Sequence, residues 1–396
     1  MEDLRVGVVG LGLRADLALA AHRPGRGSAV TAVCDTDPEA IRRRATDFGD
    51  PLTFTDHRRL LDRDDLDAVL VLTPDDTHER IAVDCLGAGK AVYLEKPMHI
   101  TVEGCDAILR AARETGTRLY VGHNMRHMGV VRIMRDIIGR GLIGEPKTVW
   151  VRHFVSYGGD YYFKDWHAER ERTTGLLLQK AAHDLDVVHW LAGGYTERVN
   201  AFGDLMLYGG LPRRALGTPR PDDWLRRFDW PPTRRRDLNH RIDVEDVSVM
   251  NMRLDNGVIA AYQQCHFTPD YVRNYTVIGT EGRLENFGDR PGDTVKVWNT
   301  GPTGYRDDCD LAYEVPAADG SHGGADVRII AEFCRFAREG GHTDTSPVAA
   351  RMSVAAGHAA TLSLRDGGMP YDVPPLDPGL AAYFDNGQAE PATPAS

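Results

Sequence analysis

Apolar residues recur along the first 125 positions in short runs separated by longer, helix-spaced stretches. The runs Leu4–Val9, Val30–Cys34, Ala68–Leu72, Ala91–Leu94 and Arg118–Gly122 have the character of strands buried on both faces of a sheet. Between them, 13–22, 38–48, 78–88 and 101–115 read as helices, with Asp37-Pro38 and Thr101 as starts. Strand and helix in alternation predict a doubly wound parallel sheet. From about Lys147 the rhythm becomes alternating and rich in aromatic and β-branched residues, over Thr148–Ser156, Val199–Leu207, Val247–Leu254, Val258–Phe267, Tyr271–Ile278 and Arg283–Phe287. Asp255-Asn256-Gly257 and Thr280-Glu281-Gly282 are hairpin signals between them. This half is expected to carry a large, mostly antiparallel sheet. One helix over Gly175–Leu191 interrupts it, and helices near 325–339 and 347–365 close it. The expected organisation is an α/β domain over 1–125, an α+β domain over 126–375 and a loosely held tail over 376–396.

At 396 residues the chain has the length of two domains. No run of about eighteen apolar residues exists to span a membrane. Met1-Glu2-Asp3-Leu4 runs straight into the first strand, with no sign of a secretory signal. Cys34, Cys85, Cys105, Cys265, Cys309 and Cys334 are scattered. They read as reduced thiols of a cytoplasmic protein, not as disulfides or a zinc site. A net charge of −11 argues against nucleic acid as a partner. One stretch departs from that balance: Arg213, Arg214, Arg220, Arg226, Arg227, Arg234, Arg235, Arg236 and Arg241, interleaved with Asp222, Asp223, Asp229 and Asp237. It reads as a solvated insertion or a subunit contact in preference to an anion-binding arm. The broad face of the antiparallel sheet must be covered, which leads us to expect a homodimer or homotetramer.

Val6-Gly7-Val8-Val9 leads into Gly10-Leu11-Gly12-Leu13-Arg14-Ala15, a dinucleotide-binding turn with alanine in its last place. Gly10 permits the tight turn, Gly12 lets backbone approach a pyrophosphate, and Ala15 allows close helix–strand packing. The helix N-terminus that follows, with Leu13 and Arg14, attracts phosphate. Asp35 lies 25 positions after Gly10. Its carboxylate suits the ribose hydroxyls and repels a 2′-phosphate, so NAD is the expected cofactor. Asp35 could also cap the helix beginning near Pro38. Thr73-Pro74 with His78, and Asn124 after the fifth strand, should pass beside the cofactor.

Glu95-Lys96-Pro97 closes the apolar run Ala91–Leu94. Ligands of open α/β sheets bind outside the carboxyl ends of the strands, where Lys96 stands. Burial and a positive nicotinamide would pull its amine towards useful acid–base chemistry. Taken alone, Lys-Pro is equally a lysine snorkelling before a turn.

The glycine turn, Thr73-Pro74 with His78, Glu95-Lys96-Pro97 and the helical segment around His183 together resemble the Gfo/Idh/MocA family, which includes glucose–fructose oxidoreductase and inositol dehydrogenase. The resemblance covers almost the whole chain. It implies a two-domain NAD(P)-dependent enzyme acting on sugars, inositols or related polyols. It further implies that Lys96 touches the reacting hydroxyl. The histidine expected beside the same carbinol is best matched by His183, in Leu177-Leu178-Gln179-Lys180-Ala181-Ala182-His183-Asp184-Leu185-Asp186. The sequence departs from the family pattern four residues earlier, where the usual aspartate is Gln179, which cannot titrate. Lys180 and Asp186 are the ionisable groups left nearby. Asp186 could orient the His183 imidazole, and Lys180 could pair with Asp184 at i,i+4. His183-x-x-Asp186-x-x-His189 has the wrong spacing for a metal on one helical face, and no metal is expected.

Oxidation of a carbinol sends hydride to the nicotinamide and the hydroxyl proton to a base, for which Lys96 and His183 are both candidates. The segment from His153 to His167, with Tyr157, Tyr161, Tyr162, Lys164 and Trp166, is dense in side chains that pair an apolar face with a polar tip, as sugar sites require. A surface loop with incidental aromatics is the plain alternative. Arg126, Tyr271 and His322 are further substrate candidates, and Lys164, His167 and Lys180 would suit an anionic sugar. The expected activity is NAD-dependent oxidation of a secondary hydroxyl on a pyranoside or cyclitol. The alternative is an NAD-dependent glycosidase working by transient C3 oxidation, elimination, hydration and re-reduction. A third class is a catalytically silent NAD-binding regulator.

Overall fold

The computed structural model describes residues 2–155, 159–219, 229–302, 304, 306–318 and 320–389. Tyr157 of the aromatic segment, and Arg220, Asp222, Asp223, Arg226 and Arg227 of the arginine-rich stretch, lie outside the described residues. The chain divides into two compact units, one formed by 1–128, 319–354 and 375–396, the other by 129–318 and 355–374.

The first unit is built on β1 (Leu4–Val9), β2 (Ser28–Cys34), β3 (Leu52–Phe54), β4 (Ala68–Val71), β5 (Ala91–Leu94) and β6 (Leu119–Val121). All neighbours pair in parallel, in the order β3-β2-β1-β4-β5-β6. β4 and β5 are buried throughout, which is why their sequences are apolar without alternation. The order reverses at β1, so the carboxyl ends of β1 and β4 flank the crevice where such sheets bind ligands. Asp37 caps the helix Pro38–Arg44 by accepting from the Glu39 amide at 2.9 Å. Thr101 caps Val102–Thr115 through the Gly104 amide at 3.1 Å. The helix after the glycine turn is shorter than expected: a 3-10 turn over Leu13–Ala15, then Asp16–Leu19.

The first unit also takes chain that we expected in the second domain. The helix Ala325–Glu339 inserts Ile329, Ile330, Phe333 and Phe336 into the core formed by Val6, Val8, Leu70, Tyr93 and Tyr120. Each such side chain contributes about 1.5–3 kcal/mol by burial. This fixes the helix to the first unit although it lies some 200 positions from that sheet in sequence. The expected loose tail is likewise organised as far as residue 389. Asp377 caps the helix Pro378–Asp385, and the Gln388 side chain exchanges hydrogen bonds with the Leu119 backbone at 2.8 and 2.6 Å.

The second unit carries β7 (Pro146–Phe154), β8 (Thr196–Asp204), β9 (Val247–Leu254), β10 (Ile259–Cys265), β11 (Val272–Gly279), β12 (Arg283–Phe287), β13 (Thr294–Trp298), β14 (Leu311–Glu314) and β15 (Tyr371–Asp372). Their order is β14-β13-β12-β11-β7-β10-β9-β8-β15, antiparallel except where β7 meets β10. In β9 burial alternates residue by residue: Met250 and Met252 point inward, Val249 and Asn251 outward. The helix Ala182–Ala192 packs on the inner face against β7, and the helix Gly129–Gly139 packs beside it. Trp150, Phe202, Val249, Ile259 and Phe287 are exposed on strands of this sheet.

The arginine-rich stretch is not simply a solvated insertion. Arg235 is fully buried and ion-pairs with Asp160, with Asp229 at 3.1 Å and with Asp237 at 3.4 Å. Leu238, Ile242 and Val244 then pack with Phe163, Leu176 and Tyr208 in a core of their own. A buried guanidinium is tolerated because three carboxylates surround it.

Candidate functional site

In the first unit the glycine turn is sterically closed on one side and open on the other. Gly10 has φ +97°, and a Cβ there would lie 2.7 Å from the Leu72 carbonyl. A Cβ on Gly12 would meet nothing within 4 Å, so the backbone has the clearance a pyrophosphate needs. Asp35 accepts from the Leu11 amide at 2.7 Å and from the Asp37 amide at 2.9 Å, which holds its carboxylate at the rim of this turn. Asp37, not Asp35, caps the next helix. These features fit a dinucleotide.

His78 is fully buried, and its ring spans two backbone carbonyls, Pro97 at 2.9 Å from Nδ1 and Thr73 at 2.9 Å from Nε2. It therefore bears on a cofactor through the backbone it holds. Thr73 is tied in turn to the Thr77 hydroxyl at 2.8 Å, and Pro74 accepts from the same hydroxyl at 2.6 Å.

Lys96 is half-buried and follows a residue held on both carboxylate oxygens. Glu95 receives Arg14 at 3.3 Å and the Tyr93 hydroxyl at 3.2 Å. Arg14 also pairs with Asp326 at 3.1 Å, to which Asn124 donates at 2.9 Å and His322 approaches at 3.1 Å. Burial alone would raise the Asp326 carboxyl, but His322 and Arg14 outweigh it and hold it well below the usual range. His322 and Arg126, both expected on the substrate, thus belong to the first unit. Arg126 is buried and donates to the Asp344 carbonyl at 2.9 Å. Asp326 is the focus of this network, and His322, four residues earlier, is the sequence signal that pointed to the region.

In the second unit the expected helix 175–191 is broken into Leu176–Gln179 and Ala182–Ala192. The Lys180 and Ala181 amides both donate to the Leu176 carbonyl at 3.1 Å, a one-residue bulge that resets the helix at Lys180. Half-buried His183 and fully buried Asp184 begin the second segment. Asp184 accepts from His153 Nδ1 at 2.9 Å and from the hydroxyls of Tyr262, at 3.1 Å, and Tyr275, and pairs with Arg273 Nε at 3.2 Å. Burial alone would raise its carboxyl; Arg273 and then His153 hold it well below the usual range. Burial, reinforced by Arg273, brings His153 down to about 3, so its imidazole is neutral.

The expected Lys180–Asp184 ion pair does not form, because the sheet supplies Asp184 with four other partners. The Lys180 amine lies 5.4 Å over the Tyr162 ring. Burial first, and Arg273 second, bring it down to about 7. Tyr162 is also bordered by His266 at 5.2 Å and His167 at 5.5 Å. The His167 ring stacks on Trp166 at 3.7 Å and meets the Tyr161 hydroxyl at 3.2 Å. Buried His266 was not singled out from the sequence; its neighbour Phe267 ends an apolar run, and nothing local marks the histidine. Lys164 is buried against Asp160 at 3.1 Å, so of the three cations expected to favour an anionic sugar it is committed elsewhere. Tyr271 packs edge-on to His153 at 6.0 Å and donates to Asp289 at 2.6 Å. Gln179 and Asp186 are buried.

Among the described residues no helix is long and apolar enough to cross a membrane. Residues 4–123 match the family described as oxidoreductase family, NAD-binding Rossmann fold, and residues 131–285 match the GFO/IDH/MocA C-terminal domain. Inositol 2-dehydrogenase of Burkholderia multivorans is 33% identical over 193 residues, 48% of this chain and 55% of that protein. A 1,5-anhydro-D-fructose reductase of Ensifer adhaerens is 27% identical over 65% of this chain and 68% of its own. The first curated relatives are thus matched over little more than half their length, 50% for the 1-carboxy-3-chloro-3,4-dihydroxycyclohexa-1,5-diene dehydrogenase of Comamonas testosteroni, 31% identical over 50% of this chain. Among solved structures, levoglucosan dehydrogenase in complex with NADH and levoglucosan superposes with a TM-score of 0.77 over 94% of this chain and 100% of its own, at 20% identity. The myo-inositol 2-dehydrogenase of Lactobacillus plantarum gives 0.71 over 94% and 100%, at 16% identity. At such identities these likenesses speak for the fold. The two family matches together span more than half the sequence, and on them the chain belongs to the Gfo/Idh/MocA family of NAD-binding oxidoreductases.

Proposed function

We propose that the protein oxidises a secondary hydroxyl of a sugar or cyclitol, of the pyranoside or inositol type, with NAD as hydride acceptor. The observation that carries this reading is Lys96. It is an ionisable side chain at the carboxyl end of β5 in an NAD-binding sheet, directly after a glutamate fixed by Arg14 and Tyr93. The names of the relatives, inositol 2-dehydrogenases and a 1,5-anhydro-D-fructose reductase, point to the same substrate class.

Bound NAD supplies the hydride acceptor. The chain's part begins with the Gly10–Gly12 turn, which admits the pyrophosphate, and Asp35, which accepts from the ribose hydroxyls. Glu95, held by Arg14, fixes the backbone from which Lys96 extends to the reacting hydroxyl. In the second unit the Tyr162 ring offers an apolar face for a sugar ring, bordered by the polar edges of His167 and His266. The buried Asp184 network sets the start of the helix that carries His183, a group we assign to the carbinol.

The test is incubation with NAD and myo-inositol, levoglucosan and p-nitrophenyl hexosides, recording NADH and nitrophenol together. NADH accumulating with substrate consumed supports the dehydrogenase. Nitrophenol released over many turnovers without net NADH would establish the redox-neutral glycosidase instead. No reaction across the panel would overturn the substrate class.

A further inference from the structure

Lys180 has an unusual setting. It is half-buried, it sits at the bulge between Leu176–Gln179 and Ala182–Ala192, and it makes no hydrogen bond or ion pair with a described residue. Its amine instead lies over the Tyr162 ring at 5.4 Å. The charged and titratable groups that act on it are Arg273, Asp184 and Asp289, with the imidazoles of His153 and His266 on its neighbours' side. Both acids are already engaged by Arg273, at 3.2 and 3.8 Å. His153 is committed to Asp184 at 2.9 Å. His266 is buried, and burial keeps it uncharged. Gln179, one residue before Lys180, cannot accept a proton.

We propose that Lys180 is a catalytic residue, the amine that takes the proton of the substrate hydroxyl as it is oxidised. This rests on the proposed dehydrogenase reading. In the step, the O–H bond breaks and its proton passes to the neutral Lys180 amine. The C–H electron pair leaves as hydride to NAD, and the carbinol becomes a carbonyl. The resulting ammonium later releases its proton to water. Three features distinguish Lys180 from a lysine that binds an anion. Nearby Arg273 disfavours its charged form, no described residue is its counter-ion, and it follows directly on a residue that cannot titrate. The bulge gives the side chain a direction that a continuous helix over 175–191 would not.

Two measurements test the proposal, one of them independent of turnover. The chain has only six lysines, so ¹³C-methylation of the purified protein gives a resolvable set of methyl signals. One signal should titrate near neutrality and vanish in Lys180→Met; if every signal titrates as an ordinary lysine, the proposal falls. The second is the pH profile of kcat/KM for NAD-dependent oxidation of myo-inositol or levoglucosan, whichever the wild type turns over. Wild-type activity should rise with pH through about 7. Lys180→Met should lose that rise and about 10²–10⁴-fold in kcat, with little change in KM. Added ethylamine should partly restore Lys180→Ala. A Lys180→Met protein that binds NADH and keeps the wild-type profile overturns the assignment. If the wild type turns over neither polyol, it is the dehydrogenase reading that fails, and the methyl titration still decides the state of the amine. Lys180→Gln, made in parallel, controls for a methionine variant that does not fold.

Discussion

Replacing Asp184 by asparagine should destabilise the second unit by about 3 kcal/mol, the low end of the cost of breaking a buried ion pair from one side. The substitution keeps the shape of the side chain and removes only its charge. Arg273 then stays buried with Asp289 at 3.8 Å as its remaining acid, and the bonds from His153, Tyr262 and Tyr275 lose their charge assistance. The assay is urea unfolding followed by tryptophan fluorescence. All six tryptophans lie between positions 150 and 298, so the signal reports on the second unit. With a slope of about 2 kcal/mol per molar urea, the midpoint should fall by about 1.5 M. Arg273→Met alone should be comparably harmful. The double variant should recover much of the loss, since neither charge is then left unpaired. The folded carboxyl lies below its unfolded value, so its contribution is fully present above about pH 4 and disappears as pH falls through the folded value. The difference between wild type and Asp184→Asn should therefore be flat from pH 5 to 8. A loss under about 1 kcal/mol, or a double variant as unstable as the sum of the singles, would refute the reasoning.

Lys180 carries the opposite pH signature. Its folded value near 7 lies below the unfolded value of a lysine, so the cost of burying it is complete below pH 7 and fades as pH rises towards about 10.4. Lys180→Met should accordingly unfold at higher urea than wild type at pH 6.5, with the gain shrinking by pH 10; a constant difference would exclude the shift. Asp35→Ser should weaken NADH binding about tenfold and narrow the preference over NADPH, as read by quenching or enhancement of NADH fluorescence, because a charge-assisted bond is worth about 1.5–3 kcal/mol. Unchanged titrations would remove Asp35 from the ribose site. The exposed Trp150 and Phe202 of the second unit's sheet should lie in a self-association surface, so Trp150→Glu with Phe202→Glu should reduce the mass seen by light scattering to that of one chain. A wild type that is already monomeric would end that reading.

Much of the fold was legible because its strongest signals are periodic. The apolar runs around Val8, Leu70 and Val92 could be placed only in a parallel sheet, and β12 and the helix Ala325–Glu339 fall where their patterns begin and end. The helix Gly129–Gly139 carries the same kind of signal, with Val130, Val131, Met134 and Ile137 on one face. β3 and β15 are too short to show a period. The return of Ala325–Glu339 to the first unit was not readable, since amphipathicity says that Phe333 is buried but not against which sheet. In the site, glycine chemistry and the Glu95-Lys96-Pro97 register are local and were seen. The Asp326 and Asp184 networks assemble from residues far apart in sequence and were not.

Lys180 shows why local rules mislead at such a position. Lysine and aspartate four residues apart on a helix ordinarily suggest a salt bridge worth a few tenths of a kcal/mol. Here three strands present His153, Tyr262, Arg273 and Tyr275 to Asp184, and charge-assisted bonds of that kind are each worth more than the local pair. Tertiary structure therefore takes the acid away from the lysine. What it leaves is an amine beside Arg273 with no counter-ion among the described residues, an arrangement that costs stability at neutral pH. Stability alone would favour methionine at 180, so the retained lysine is the group for which a chemical task is needed.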